Sequence, residues 1–99
     1  MSQSLSSQSI VKRAPNHVAT DMAGETVVLD MKSGMYYGMD GVAGSIWALL
    51  DQPRTIADIQ AAVVAEYDID AAQCERDVAK FVESLRSAGL VEVVHENAA

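Results

Sequence analysis

The order of patterns along the chain predicts an α+β fold, a three-stranded antiparallel β-meander followed by three helices. Between residues 18 and 39, three short β-branched or apolar runs are separated by turn residues. From residue 40 onward, apolar residues recur at helical spacing in three blocks, each opened by a residue suited to capping. A short β-like run, "LVEVVH", follows a glycine stop. The last two helices and this run have the order of a winged helix-turn-helix.

Each element has a local cause. Residues 1–9, "MSQSLSSQS", are Ser/Gln-rich and aperiodic and are expected as a mobile tail. Residues 10–16 read as an extended lead-in set by Pro15. Val18–Met22 is the first strand, Ala23-Gly24-Glu25 a turn, and Thr26–Met31 the second strand. Lys32-Ser33-Gly34 turns the chain again, with Gly34 able to take positive φ. Met35–Met39 is the third strand. Alternation puts Met35, Tyr37 and Met39 on the apolar, inward side and Tyr36 and Gly38 on the other.

Asp40 is placed to cap the first helix, whose stripe is Val42, Ile46, Leu49 and Leu50 with Trp47 beside it. Gly41 and Gly44 disfavour a helix by roughly 1 kcal/mol each, a cost suited to a close approach to the sheet. Thr55 opens the second helix, with Asp58 at its third position and Ile56, Ile59, Val63 and Val64 facing inward. Asp70 and Gln73 start the third helix, from Ala71 to about Ala88. Cys74, Val78, Phe81, Val82 and Leu85 form its stripe, and Gly89 stops it. The folded domain spans residues 10–95, and residues 96–99 are a polar tail.

The totals narrow the function. Ninety-nine residues, 49% hydrophobic, make one domain with one core. A net charge of −7 suits neither a phosphate backbone nor an anionic lipid surface, so nucleic acid and membrane are not expected partners. With a lone Cys74, no apolar secretory segment and no run of about 20 apolar residues, the chain reads as cytoplasmic.

The pattern offers no catalytic constellation. His17 and His95 stand far apart, Cys74 falls on a core stripe, and no metal-ligand spacing occurs, so neither enzyme, metal nor cofactor is expected. Asp30 and Asp40 flank the tyrosine strand without a pocket to work in. The glycines of "GMDGVAG" have the wrong spacing for a phosphate loop. A DNA-binding winged helix is the alternative reading. Its third helix carries Arg76, Lys80 and Arg86, but Glu75, Asp77 and Glu83 offset them.

The third strand is the informative one. The middle strand of a meander is paired on both sides, whereas "MYYGM" keeps an edge that neither charge nor proline blunts. Such an edge suits an extended peptide; equally, the tyrosines could pack the core and the chain's own ends could cover the edge.

Three segments together resemble the PqqD-like family, also called the RiPP recognition element. They are the G-x-Y-Y strand at Gly34–Met39, the G-x-x-I-W-x-L-L helix at Gly44–Leu50, and the D-V-x-x-F helix ending in G-L-V at Asp77–Val91. Met39 stands where Leu is more usual in the family, a volume-conserving difference. The resemblance covers residues 10–94. It implies binding of the leader segment of a ribosomally made precursor peptide, as an added strand between the third strand and the third helix.

Carried onto this sequence, the peptide-binding residues are Met35, Tyr36, Tyr37 and Gly38, with Cys74, Asp77, Val78 and Phe81 on the helix. The sequence leaves open whether the Asp77 or the Arg86 border of the helix stripe faces the peptide. The resemblance further implies a modifying enzyme as partner, either a leader peptidase and ATP-dependent cyclase of lasso-peptide type or a radical-SAM enzyme. The "QCERDVAKFVESL" helix is more similar to the lasso-pathway members.

Overall fold

The computed structural model describes residues 5–22 and 24–94. His95 and the tail at 96–99 lie outside the described residues, as do residues 1–4 and the turn residue Ala23. The elements in order are β1 (Ile10–Arg13), β2 (His17–Met22), β3 (Glu25–Asp30), β4 (Tyr36–Met39), α1 (Gly41–Leu49), β5 (Arg54–Thr55), α2 (Ile56–Tyr67), α3 (Ala71–Ser87) and β6 (Val91–Val94). The expected meander is the antiparallel sheet β2-β3-β4, and the three expected helices follow it.

A second three-stranded sheet, β5-β1-β6, was not expected as such. The supposed lead-in is its central strand: Ile10 pairs with Thr55 on one side and with Val94 on the other. Val11 is wholly buried there, so β1 is held by burial and by ladders on both flanks despite its short length. Residues 5–9 are held as well. Ser9 O and Ser7 O accept hydrogen bonds of 3.0 Å from the N–H groups of Ile56 and Ala57, and Leu5 packs on the core. These bonds satisfy donors at the start of α2 that have no partner within the helix.

The helix ends follow their residues. Thr55 Oγ1 accepts from Asp58 N at 3.0 Å, and Asp70 Oδ2 accepts from Gln73 N at 3.0 Å. Asp40 differs from expectation: its side chain makes no capping bond, and its carbonyl alone accepts from Gly44 N at 3.3 Å. At the end of α3, Gly89 takes φ +81°, Leu90 N donates to Leu85 O and Gly89 N to Arg86 O. This Schellman arrangement directs Leu90 into the core.

The C-terminus of α1 is closed by two arginines from the other sheet. Arg13 Nη2 donates to Trp47 O at 2.6 Å, and Arg54 Nε donates to Leu49 O. Cations are favourable against the last carbonyls of a helix, and these two tie α1 to β1 and β5. The Arg13 guanidinium also lies 4.5 Å from the centre of the Trp47 ring, and His17 meets that ring edge-on at 5.2 Å. Burial lowers the Arg13 pKa, while the charge of Asp51 acts in the opposite direction.

The core lies between α1, α2 and α3 and the inner faces of the two sheets, with Val28, Ile46, Ile59, Val78 and Val82 each no more than 1% exposed. α1 packs on both β3 and β4. A Cβ added at Gly44 would stand 3.3 Å from Met39 O, so the glycine permits the close approach that the sequence suggested.

Candidate functional site

The β3–β4 hairpin is built around Asp30. Its carboxylate accepts from Lys32 N at 3.1 Å and from Ser33 Oγ at 2.9 Å, and Ser33 Oγ in turn accepts from Met35 N at 3.2 Å. Gly34 closes the turn at φ +76°, with its N–H donating to Asp30 O at 2.7 Å. The Ser33 hydroxyl, followed by the Lys32 N–H, holds the Asp30 pKa below the usual carboxylate range. This carboxylate is therefore engaged in shaping the turn that sets the register of β4.

That register is Leu29 opposite Tyr36, Val28 opposite Tyr37, Val27 opposite Gly38 and Thr26 opposite Met39. Asp30 N donates to Met35 O, so Met35 directs its carbonyl at β3. Backbone direction alternates along a strand, so Tyr37 also faces β3 while Tyr36 and Gly38 turn their N–H and C=O groups to the other side. No strand among the described residues pairs there, and β4 is an edge.

The side chains alternate as well. Met39 is buried and Tyr37 packs against the core, whereas Tyr36 is 71% exposed on the opposite face. Met35 departs from the expected inward set. It lies just before the strand, where the alternation no longer holds its orientation, and it is 55% exposed.

Among the three helices lies a largely apolar cavity of about 280 Å³. Val42, Ala43 and Ile46 of α1, Val63 of α2, Ile69 of the α2–α3 turn, and Cys74, Asp77, Val78 and Phe81 of α3 line it. All four helix residues singled out from sequence thus share one wall. Of the two borders of the α3 stripe, Asp77 lines the cavity and Arg86 does not.

The structure does not bring Met35–Gly38 into that lining. α1, which leaves β4 through Asp40, supplies the wall between them. Sequence reasoning missed Val42, Ala43, Ile46, Val63 and Ile69 as lining. Val42, Ile46 and Val63 carried a signal only as core-stripe residues, and Ala43 and Ile69 carried none beyond being apolar.

The cavity wall is chemically quiet. Cys74 is buried, and its Sγ donates to Gln60 O at 3.6 Å. Burial raises the thiol pKa, and the neighbouring Asp77 charge raises it further, so the group stays protonated at neutral pH. Asp77 is the one charged residue of the lining, and the remainder is aliphatic or aromatic apart from the thiol. An open strand edge can pair with an extended chain, and an apolar cavity can take up apolar side chains.

The family described as "Coenzyme PQQ synthesis protein D (PqqD)" matches residues 25–91. Among solved structures, "TbiB1 in Complex with the TbiA(beta) Leader Peptide" is similar at 32% identity and a TM-score of 0.78, covering 86% of this chain and 99% of that one. "Lasso peptide synthetase B1 complexed with the leader peptide" is similar at 29% identity and a TM-score of 0.72, over 83% of this chain and 96% of the other. The PqqD truncation of Methylobacterium extorquens PqqCD, described as a stand-alone RiPP recognition element, shares the fold at 19% identity and a TM-score of 0.73, over 90% and 95%. No curated protein sequence matches the chain.

Proposed function

We propose, for a chain that belongs to the PqqD family, that it binds the leader segment of a ribosomally synthesised precursor peptide by strand addition and presents it for modification. The observation that carries this reading is the open β4 edge, with outward backbone groups at Tyr36 and Gly38, on a strand packed against the helix α1 that also walls an apolar cavity. Two relatives of the same fold, at 32% and 29% identity, are complexes with leader peptides. The leader pairs with β4, and its apolar side chains enter the cavity lined by Cys74, Asp77, Val78 and Phe81. Met35 and Tyr37 complete the strand's contribution from its turn and its inner face.

The chain acts by binding and requires no chemistry of its own. Its second partner is the enzyme that modifies the precursor, and the likeness to a lasso peptide synthetase B1 favours a leader peptidase and cyclase over a radical-SAM enzyme. The DNA-binding alternative is not supported: the net charge is −7 and α3 mixes both signs. No helix among the described residues is long and apolar enough to cross a membrane.

Titration with the leader segment of the cognate precursor, followed by amide shifts, tests the reading. Saturable binding with a Kd near or below about 1 μM is expected, with shifts concentrated at Tyr36–Gly38 and on the Cys74–Phe81 face. Absence of binding at about 100 μM leader would overturn it. A salt-sensitive DNA gel shift would replace it with the regulator reading.

A further inference from the structure

The sheet that carries β4 has a second open edge. β2 pairs with β3 through six consecutive residues without a bulge, and no described strand covers its other side. Edge strands in monomers are usually shortened, bulged, or blunted with lysine or proline. β2 has none of these devices. Val18 and Met22 are 54% and 59% exposed on its outer face. The strand's one acidic residue is also drawn back: Thr26 Oγ1 donates to Asp21 Oδ1 at 2.9 Å, holding that carboxylate against β3.

Met31 N donates to Asn16 O, which fixes the direction of the ladder. Val18, Thr20 and Met22 therefore direct their backbone groups at β3, while Ala19 and Asp21 direct theirs to the open side.

We propose that this edge pairs with the same edge of a second copy of the chain, antiparallel, about a two-fold axis at Thr20. The register follows from the sequence "HVATDM". With Thr20 opposite the partner's Thr20, Ala19 faces the partner's Asp21, and both of these residues have outward backbone groups to exchange. On the outer face Val18 meets the partner's Met22, so both exposed apolar residues gain a neighbour. Threonine opposite threonine is a favourable cross-strand pair. The register one step further would set Asp21 against the partner's Asp21, and the step before it would leave Met22 unmatched. The contact is isologous and closes on itself. It joins two sheets into one of six strands with a β4 edge at each end, so each copy keeps its leader site.

Sedimentation of the full chain over a range of concentrations tests the contact. A reversible dimer is expected, and it tightens with added salt because each copy carries a net charge of −7. Thr20→Lys and Thr20→Glu each place like charges at the axis, and each raises the dimer Kd by about tenfold or more. An equimolar mixture of the two variants restores association, because only a residue facing its own counterpart gains from opposite charges. Retained leader binding by both variants shows that they are folded, since the leader's edge is the opposite one. A wild-type chain that stays monomeric at about 500 μM overturns the proposal, as does a mixture no better associated than its components. Neither result bears on leader binding.

Discussion

The two sheets use the same number of strands to opposite ends. In β5-β1-β6 the central strand is closed on both flanks, Val11 is fully buried, and the partners come from residues 54–55 and 91–94. In β2-β3-β4 the strands are neighbours in sequence, the hairpin turn is fixed by Asp30, and the last strand keeps an unpaired side. The first sheet gathers distant parts of the chain and anchors α1 through Arg13 and Arg54. The second is fixed in register by its turn and left unpaired at β4. Stability and recognition are thereby separated: changes in the first should cost folding, and changes at the β4 edge should cost binding.

The largest expected effect lies on the anchoring side. Trp47 is 2% exposed and holds both Arg13 and His17, so Trp47→Ala should lower the unfolding free energy by ~3–5 kcal/mol in urea titrations. A cost below about 1 kcal/mol would show that this junction does not anchor the fold.

Phe81 sharpens the division, because it is half-buried and faces both the core and the cavity. Phe81→Ala should cost about 2 kcal/mol of stability, less than a fully buried phenylalanine, and weaken leader binding about tenfold. Calorimetric titration of the folded variant checks this, and unchanged affinity would remove α3 from the site.

At the edge itself, backbone and side chain can be told apart. Tyr36→Pro removes an outward N–H at the first position of β4, where proline leaves the β3 ladder intact, and should weaken leader binding about tenfold. Tyr36→Ala keeps that N–H and should cost about threefold or less. Equal losses in the two variants would mean that the tyrosine ring, not the strand edge, recognises the leader.

The smallest effect is on Cys74. Its raised pKa means that the thiolate fraction, and with it the alkylation rate by iodoacetamide, should climb only above the pH range of an ordinary thiol. Leader binding should slow alkylation further by covering the cavity. A rate that rises around an ordinary thiol pKa and ignores the leader would place Cys74 outside the site.

The contrast between the sheets also explains what the sequence disclosed. The meander was legible because its strands are separated by their own turns, as at Lys32-Ser33-Gly34, and α2 and α3 because each is preceded by its own cap, Thr55 and Asp70. The other sheet was not, since "IVKR" and "RT" are too short to show a period and their partners lie tens of residues away. The core stripe of α3 was readable from spacing, but which border of it faces a cavity depends on where α1 docks. Spacing within α3 says nothing of that, so Asp77 was separated from Arg86 only in three dimensions. Met35 was turned inward by extending the alternation one residue beyond the strand that supports it.

Amide hydrogen exchange at Tyr36 and Gly38, with and without saturating leader peptide, tests the central claim most directly. Both amides should exchange rapidly in the protein alone and become strongly protected in the complex, while Tyr37, already bonded within the ladder, changes little. Protection of Tyr36 and Gly38 before any peptide is added, or no gain on saturation, would contradict recognition by strand addition at β4.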